Sequence, residues 1–96
     1  MAKFYLFSKE SCGPCMLVDR YMKSIKDERT ERVEKVDLED FGQTPTKEAR
    51  QLAKQYGVTA TPVLVIVDDE GTHLETFVGG LNITQNIRKK FDEYDI

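Results

Sequence analysis

The chain has 96 residues, 40% apolar and 32% charged, with 14 Lys and Arg against 17 Asp and Glu for a net charge of −3. That length implies a single domain, residues 1–96, burying roughly 65% of its unfolded surface, which is enough for one modest core and no internal substrate chamber. A mildly acidic chain without a Lys/Arg block is unsuited to nucleic acid or anionic membrane. Its longest apolar run, residues 63–67, falls far short of the ~20 residues that span a bilayer. The first residues hold too few apolar side chains for a signal peptide. We therefore expect a cytoplasmic protein, most simply a monomer, with no nucleic-acid or membrane partner.

In chain order, residues 4–7 form a continuous apolar, β-favouring run, as in a strand covered on both faces. Cys15, Val18, Met22 and Ile25 then recur at helical spacing, with Asp19, Arg20, Lys23 and Lys26 on the other side. Pro14 suits the first turn of that helix, where its missing N–H costs nothing. Residues 33–38 read as a second strand, followed by the acidic loop Glu39-Asp40 and by Phe41 beside Gly42, a loop anchor. Thr44-Pro45 predicts a cap and a first-turn proline, and Ala49, Leu52, Ala53 and Tyr56 make a helical stripe that Gly57 ends.

Thr61-Pro62 leads into a strand over 63–67, and Asp68-Asp69-Glu70-Gly71 predicts a hairpin turn. Leu74, Thr76 and Val78 alternate with Glu75 and Phe77 in an antiparallel partner strand, where His73 is a surface residue without a role. Asn82 and Gln85 have capping-box spacing, and Ile83, Ile87 and Phe91 define a last helix. The order β-α-β-α-β-β-α predicts an α/β fold, a mixed four-stranded sheet flanked by three helices.

Cys12-Gly13-Pro14-Cys15 follows the first strand and opens the first helix. Free N–H groups and the positive end of the helix dipole favour a thiolate at Cys12. Cys15, three residues on, lies within disulfide reach on the first turn. Such a pair can attack a substrate disulfide and resolve the mixed intermediate. Gly13 permits close approach by a partner, and Pro14 stiffens the turn. Two other readings remain, a zinc half-site and a pair of core cysteines. Zinc usually takes four ligands, whereas the sequence offers two Cys and one distant His73. A bridge closing so short a loop removes little unfolded-state entropy, which argues against a structural disulfide.

At these residues the sequence resembles the thioredoxin family, whose usual active-site tetrapeptide is Cys12-Gly13-Pro14-Cys15. Thr61-Pro62 falls where that family has a cis-proline, and Gly79 where it has a glycine after the last strand. Lys35 matches a lysine beneath the active site of many members. The resemblance implies the minimal thioredoxin fold, without the family's extra N-terminal strand and helix. It further implies a protein-disulfide reductase and electron carrier serving cell redox homeostasis. In that role Cys12 is the exposed nucleophile and Cys15 the resolving thiol. Ser11, Gly13 and Pro14 form the active-site loop, while Thr61, Pro62 and Gly79 bind substrate. No bound cofactor or metal is implied, because the dithiol is itself the redox centre.

Three departures stand out. Ser11 replaces the family's tryptophan, Leu6 its buried aspartate and Arg20 its helix-kinking proline. They predict weaker general-base assistance and a slower or less reducing dithiol. Phe7-Ser8-Lys9-Glu10-Ser11-Cys12 also resembles the approach to the active site of glutaredoxins, where a lysine at the place of Lys9 holds a glutathione carboxylate. The centre is Gly-Pro rather than Pro-Tyr, and Gly79-Gly80-Leu81-Asn82 lacks the aspartate of the glutaredoxin motif. Protein disulfides are therefore the expected substrates, with electrons from a thioredoxin-reductase-type donor or glutathione. A glutathione-dependent reductase and a non-catalytic binding subunit on the same fold remain the alternatives.

Overall fold

A computed structural model of the chain describes residues 1–10, 12–38 and 46–96. Ser11, Glu39, Asp40, Phe41, Thr44 and Pro45 lie outside the described residues, and so do the sequence expectations for them.

The central strands form where apolar residues run without interruption. Strand β1 (Lys3–Ser8) and strand β3 (Val63–Val67) pair antiparallel, Phe4 opposite Ile66 and Leu6 opposite Leu64. Strand β2 (Val33–Asp37) adds in parallel to β1, and strand β4 (His73–Val78) adds antiparallel to β3. The sheet order is β2-β1-β3-β4, mixed as the pattern predicts.

Side chains alternate across the two inner strands, so each feeds two cores. Phe4, Leu6, Leu64 and Ile66 point to one face, where they meet Val18 of helix α1 (Gly13–Ser24) and Ile83, Ile87 and Phe91 of helix α3 (Gly80–Glu93). Phe7, Val63, Val65 and Val67 point to the other, against Ala49 and Ala53 of helix α2 (Lys47–Gln55). Every residue of β3 is buried. This two-sided burial explains why β1 and β3 read as continuous apolar runs.

The cap of α2 is Thr46, whose hydroxyl accepts the Ala49 N–H at 3.1 Å. Asn82 lies inside α3, which starts after Gly79 with no side-chain cap, and so the capping-box expectation fails. Gly79, at φ 97° and ψ 149°, makes the sharp turn from β4 into α3, in a region of backbone space open only to glycine. In β4 the more apolar set, Leu74 and Val78, faces outward, while Glu75 and Phe77 turn inward. Glu75 is satisfied there, accepting from Tyr94 Oη at 2.5 Å and pairing with Lys90 at 2.9 Å.

A short 3₁₀ turn, Glu28–Arg32, follows α1 and escaped the sequence reading. Asp27 caps it by accepting the Arg29 N–H at 3.0 Å. Arg29 then bridges Asp27 at 2.7 Å and Asp92 of α3 at 2.6 Å, with its guanidinium 5.2 Å from the Phe91 ring centre. No helix among the described residues is long and apolar enough to cross a membrane.

Candidate active site

Four chain segments converge at one end of the sheet, where β1 and β4 finish and β3 starts. Cys12 is the N-cap of α1, with extended backbone at φ −137° and ψ 107°. Cys15 is on the first turn, and a disulfide joins the two across a Cα separation of 5.3 Å. The proline-bearing first turn of α1 contains no acidic residue. The positive end of the helix dipole therefore acts on Cys12 without a nearby carboxylate on its own turn.

Two donors converge on one sulfur. The Cys15 N–H points at Cys12 Sγ from 3.2 Å, and the Thr61 hydroxyl from 3.6 Å. Both would stabilise negative charge on Cys12 once the disulfide is opened. Thr61 leads into a cis peptide at Pro62, as the family resemblance implies. The Gly79 N–H binds the Pro62 carbonyl at 3.0 Å, tying the end of β4 to the start of β3. Thus Thr61, Pro62 and Gly79 gather around the Cys12-Gly13-Pro14-Cys15 turn.

Solvent access is more even than the sequence suggests. In the disulfide form Cys12 and Cys15 are each only 7% exposed. The expectation of an exposed Cys12 beside a buried Cys15 is thereby corrected for this state. In this state Cys12 Sγ is bridged to the first turn of α1, with the Thr61 hydroxyl 3.6 Å away. The asymmetry lies in hydrogen-bond donors rather than in exposure.

Leu6 is buried next to Val18, so an apolar side chain fills the place of the family's aspartate. The nearest counterpart in sequence is Asp19, one turn beyond Cys15, which lies 3.0 Å from Lys23 and 3.6 Å from Lys35. The Lys23 hydrogen bond, more than the charge of Lys35, holds the Asp19 carboxyl below its ordinary range. Lys35 is half-exposed and directed to Asp19 rather than to the cysteines. Among the described residues no group of three or more His, Cys, Asp and Glu side chains lies together as a metal site would require.

Two recesses adjoin the disulfide. One, an open groove of about 650 Å³, is lined by Gly13, Pro14, Leu17, Val78, Gly80 and Leu81 among others. Val78 is 57% and Leu81 67% exposed there. A Cβ on Gly80 would lie 3.1 Å from the Pro14 carbonyl oxygen, so this glycine lets α3 approach α1 at the site. The sequence reading passed over Leu17 and took Val78 and Leu81 only as a strand residue and as part of the Gly79–Asn82 motif, not as lining of a groove. The signal available was the apolar pair flanking Gly79-Gly80, outside any core periodicity. The second recess, about 180 Å³, is lined by Lys9, Leu38, Val58, Thr59, Ala60 and Thr61.

Sequence and structure comparisons agree with this geometry. Residues 2–94 match the thioredoxin-like domain family, and the chain belongs to it. Comparison with curated protein sequences yields no match. Among solved structures, thioredoxin from Fasciola hepatica superposes with a TM-score of 0.64 at 27% identity, covering 96% of this chain and 79% of that one. Thioredoxin from Malassezia sympodialis gives 0.70 at 21% identity, covering 99% and 76%. Oxidised mitochondrial thioredoxin 3 from Saccharomyces cerevisiae gives 0.69 at 22%, covering 96% and 77%. The latter two show the fold alone. Family, fold and the Cys12–Cys15 disulfide together define a thiol–disulfide oxidoreductase in the general sense.

Proposed function

We propose that the protein is a protein-disulfide reductase that cycles between a Cys12/Cys15 dithiol and the disulfide described above. The convergence of the Cys15 N–H and the Thr61 hydroxyl on Cys12 Sγ carries this reading, because both donors favour a thiolate at that sulfur. Cys12 attacks a substrate disulfide sulfur, and the partner's other sulfur leaves as a thiolate. Cys15 then attacks Cys12 Sγ, expelling the second partner thiolate and closing the bridge. Two electrons pass to the substrate, and no bound cofactor takes part.

Thr61 is intermediate in exposure, precedes the cis-proline and makes no backbone hydrogen bond among the described residues, which supports a main chain open to an extended substrate strand. Pro62 keeps an N–H away from the sulfurs. Gly13, Pro14 and Gly79 leave room for the partner's backbone. Re-reduction falls to an external donor in a reducing compartment, which fits the cytoplasmic, monomeric protein expected from the sequence. A thioredoxin-reductase-type donor is favoured over glutathione. The lysine-bearing recess beside Thr61 is the one feature supporting glutathione use.

Insulin-disulfide reduction, driven in parallel by thioredoxin reductase with NADPH and by glutathione, tests the reading. Turnover should be faster with the reductase and vanish in Cys12→Ser. Equal biological activity of wild type and the Cys12→Ser/Cys15→Ser double variant would instead establish a non-catalytic binding role.

A further inference from the structure

The two recesses share no lining residue and differ in chemistry. The larger groove, at the end of β4 and the starts of α1 and α3, is lined by Gly, Pro, Leu, Val and Asn residues and carries no charged side chain among the described residues. The smaller one lies across Thr61, against the ends of β1 and β2. Among the described residues Lys9 is its single charged lining residue, and it forms no ion pair there. Cys12 adjoins both: Gly13 and Pro14, which follow it, line the groove, and Thr61, whose hydroxyl lies 3.6 Å from Cys12 Sγ, lines the smaller recess.

We propose that the protein selects polypeptide substrates whose reactive cysteine is flanked by an apolar residue on one side and a carboxylate on the other. This rests on the reductase reading above and adds the substrate class. An extended segment advances roughly 3.3 Å per residue, so positions one or two from the cysteine reach the recesses while the sulfur meets Cys12. The apolar side chain enters the groove between Leu17, Val78 and Leu81, exposed surfaces that gain from being covered. The carboxylate faces Lys9. A small peptide carrying carboxylates at both ends fits less well, because one of them would be desolvated against that apolar groove.

The test uses pre-reduced protein and peptides joined through their single cysteine to thionitrobenzoate. The Cys12 thiolate attacks the peptide sulfur, thionitrobenzoate leaves as a coloured thiolate, and Cys15 then releases the peptide thiol as the Cys12–Cys15 bond forms. Four peptides carry Leu or Ala on one side of the cysteine and Glu or Lys on the other, each made in both chain directions. In the favoured direction, Leu should outpace Ala about tenfold, the worth of roughly 1.4 kcal/mol of buried apolar surface. Glu should outpace Lys about fivefold at low salt, a preference that salt erodes.

Lys9→Glu should invert the charge preference, and Leu81→Asp should erase the preference for Leu. Rates within twofold across the panel would overturn the proposal. So would a Lys9→Glu variant that changes all four rates by one common factor, or a glutathione disulfide reduced faster than the Leu/Glu peptide. If the wild type reduced insulin but failed to discriminate among the peptides, only the substrate class would fall. Failure to reduce insulin or any peptide would remove the reductase reading itself.

Discussion

The two ends of the sheet are built on opposite terms. At the end holding Cys12 and Cys15, contacts run through backbone atoms and small residues: the Gly79 N–H on the Pro62 carbonyl, the Cys15 N–H on Cys12 Sγ, Gly80 against Pro14. Apolar side chains such as Val78 and Leu81 are left uncovered there. At the far end, charged side chains are satisfied several times over. Asp27 meets Arg29 and Arg88, Arg29 also meets Asp92, and Lys90 is shared between Glu75 and Glu93. One end is saturated and locks α3 onto its neighbours, while the other keeps its surface available.

Breaking each end should therefore have different consequences. The largest effect belongs to the reactive end: Cys12→Ser should reduce insulin turnover to the uncatalysed background. The oxidised-state stability lost with this short loop should be no more than about 2 kcal/mol, read by denaturant titration. A variant that stays active, or one that cannot fold, would collapse the distinction between the ends. In the core beneath the far end, Phe91→Ala should cost about 3–5 kcal/mol and lower Tm by several degrees per kcal/mol. The reaction rate per folded molecule should hold. Gly79→Ala probes the boundary, since its backbone at φ 97° admits only glycine. We expect a loss of about 1–3 kcal/mol together with slower turnover, because α3 and the groove share that turn.

The smallest effects are pH-dependent and belong to the far end. Hydrogen bonds from Arg29 hold the Asp27 carboxyl down at about 2. A depressed carboxyl stabilises the fold above its unfolded value of about 3.9, and that contribution is lost as pH falls through the folded value. Asp27→Asn should flatten stability between about pH 4 and 2. Tyr94 is the converse, its hydroxyl pushed up to about 12 chiefly by donating to Glu75. The stabilisation is complete below about pH 10 and lost as pH rises through the folded value. Tyr94→Phe should remove that alkaline dependence in a urea-midpoint series while leaving the reaction's own pH profile in place.

The legibility of the sequence followed the same divide. Strands β1 and β3 were readable because burial on both faces leaves an uninterrupted apolar run, and α1 because Cys15, Val18, Met22 and Ile25 mark one face. The cysteine turn announced itself through spacing and placement. The start of α3 was misread because Gly79 performs by backbone conformation what Asn82 and Gln85 resemble by side-chain type. The facing of β4 was hidden because Tyr94 and Lys90 make an inward Glu75 tolerable from 15 or more residues away. The Arg29 bridge to Asp92 spans 63 positions and leaves no local trace. Nor could spacing show that the two bridged cysteines are equally buried.

Strand β3, buried at all five positions, also supplies a label-free gauge. The amide of Val65, at the middle of that strand and 0% exposed, should exchange with deuterium only when the whole domain opens, unlike amides near the ends of elements. Its protection can be followed in the dithiol and disulfide forms of the same sample. Each tenfold difference between them corresponds to about 1.4 kcal/mol, and through the two-electron couple to roughly 30 mV of reduction potential. One backbone proton far from sulfur thus reports which oxidation state the fold prefers, and how far folding moves the couple's potential from that of the unfolded chain.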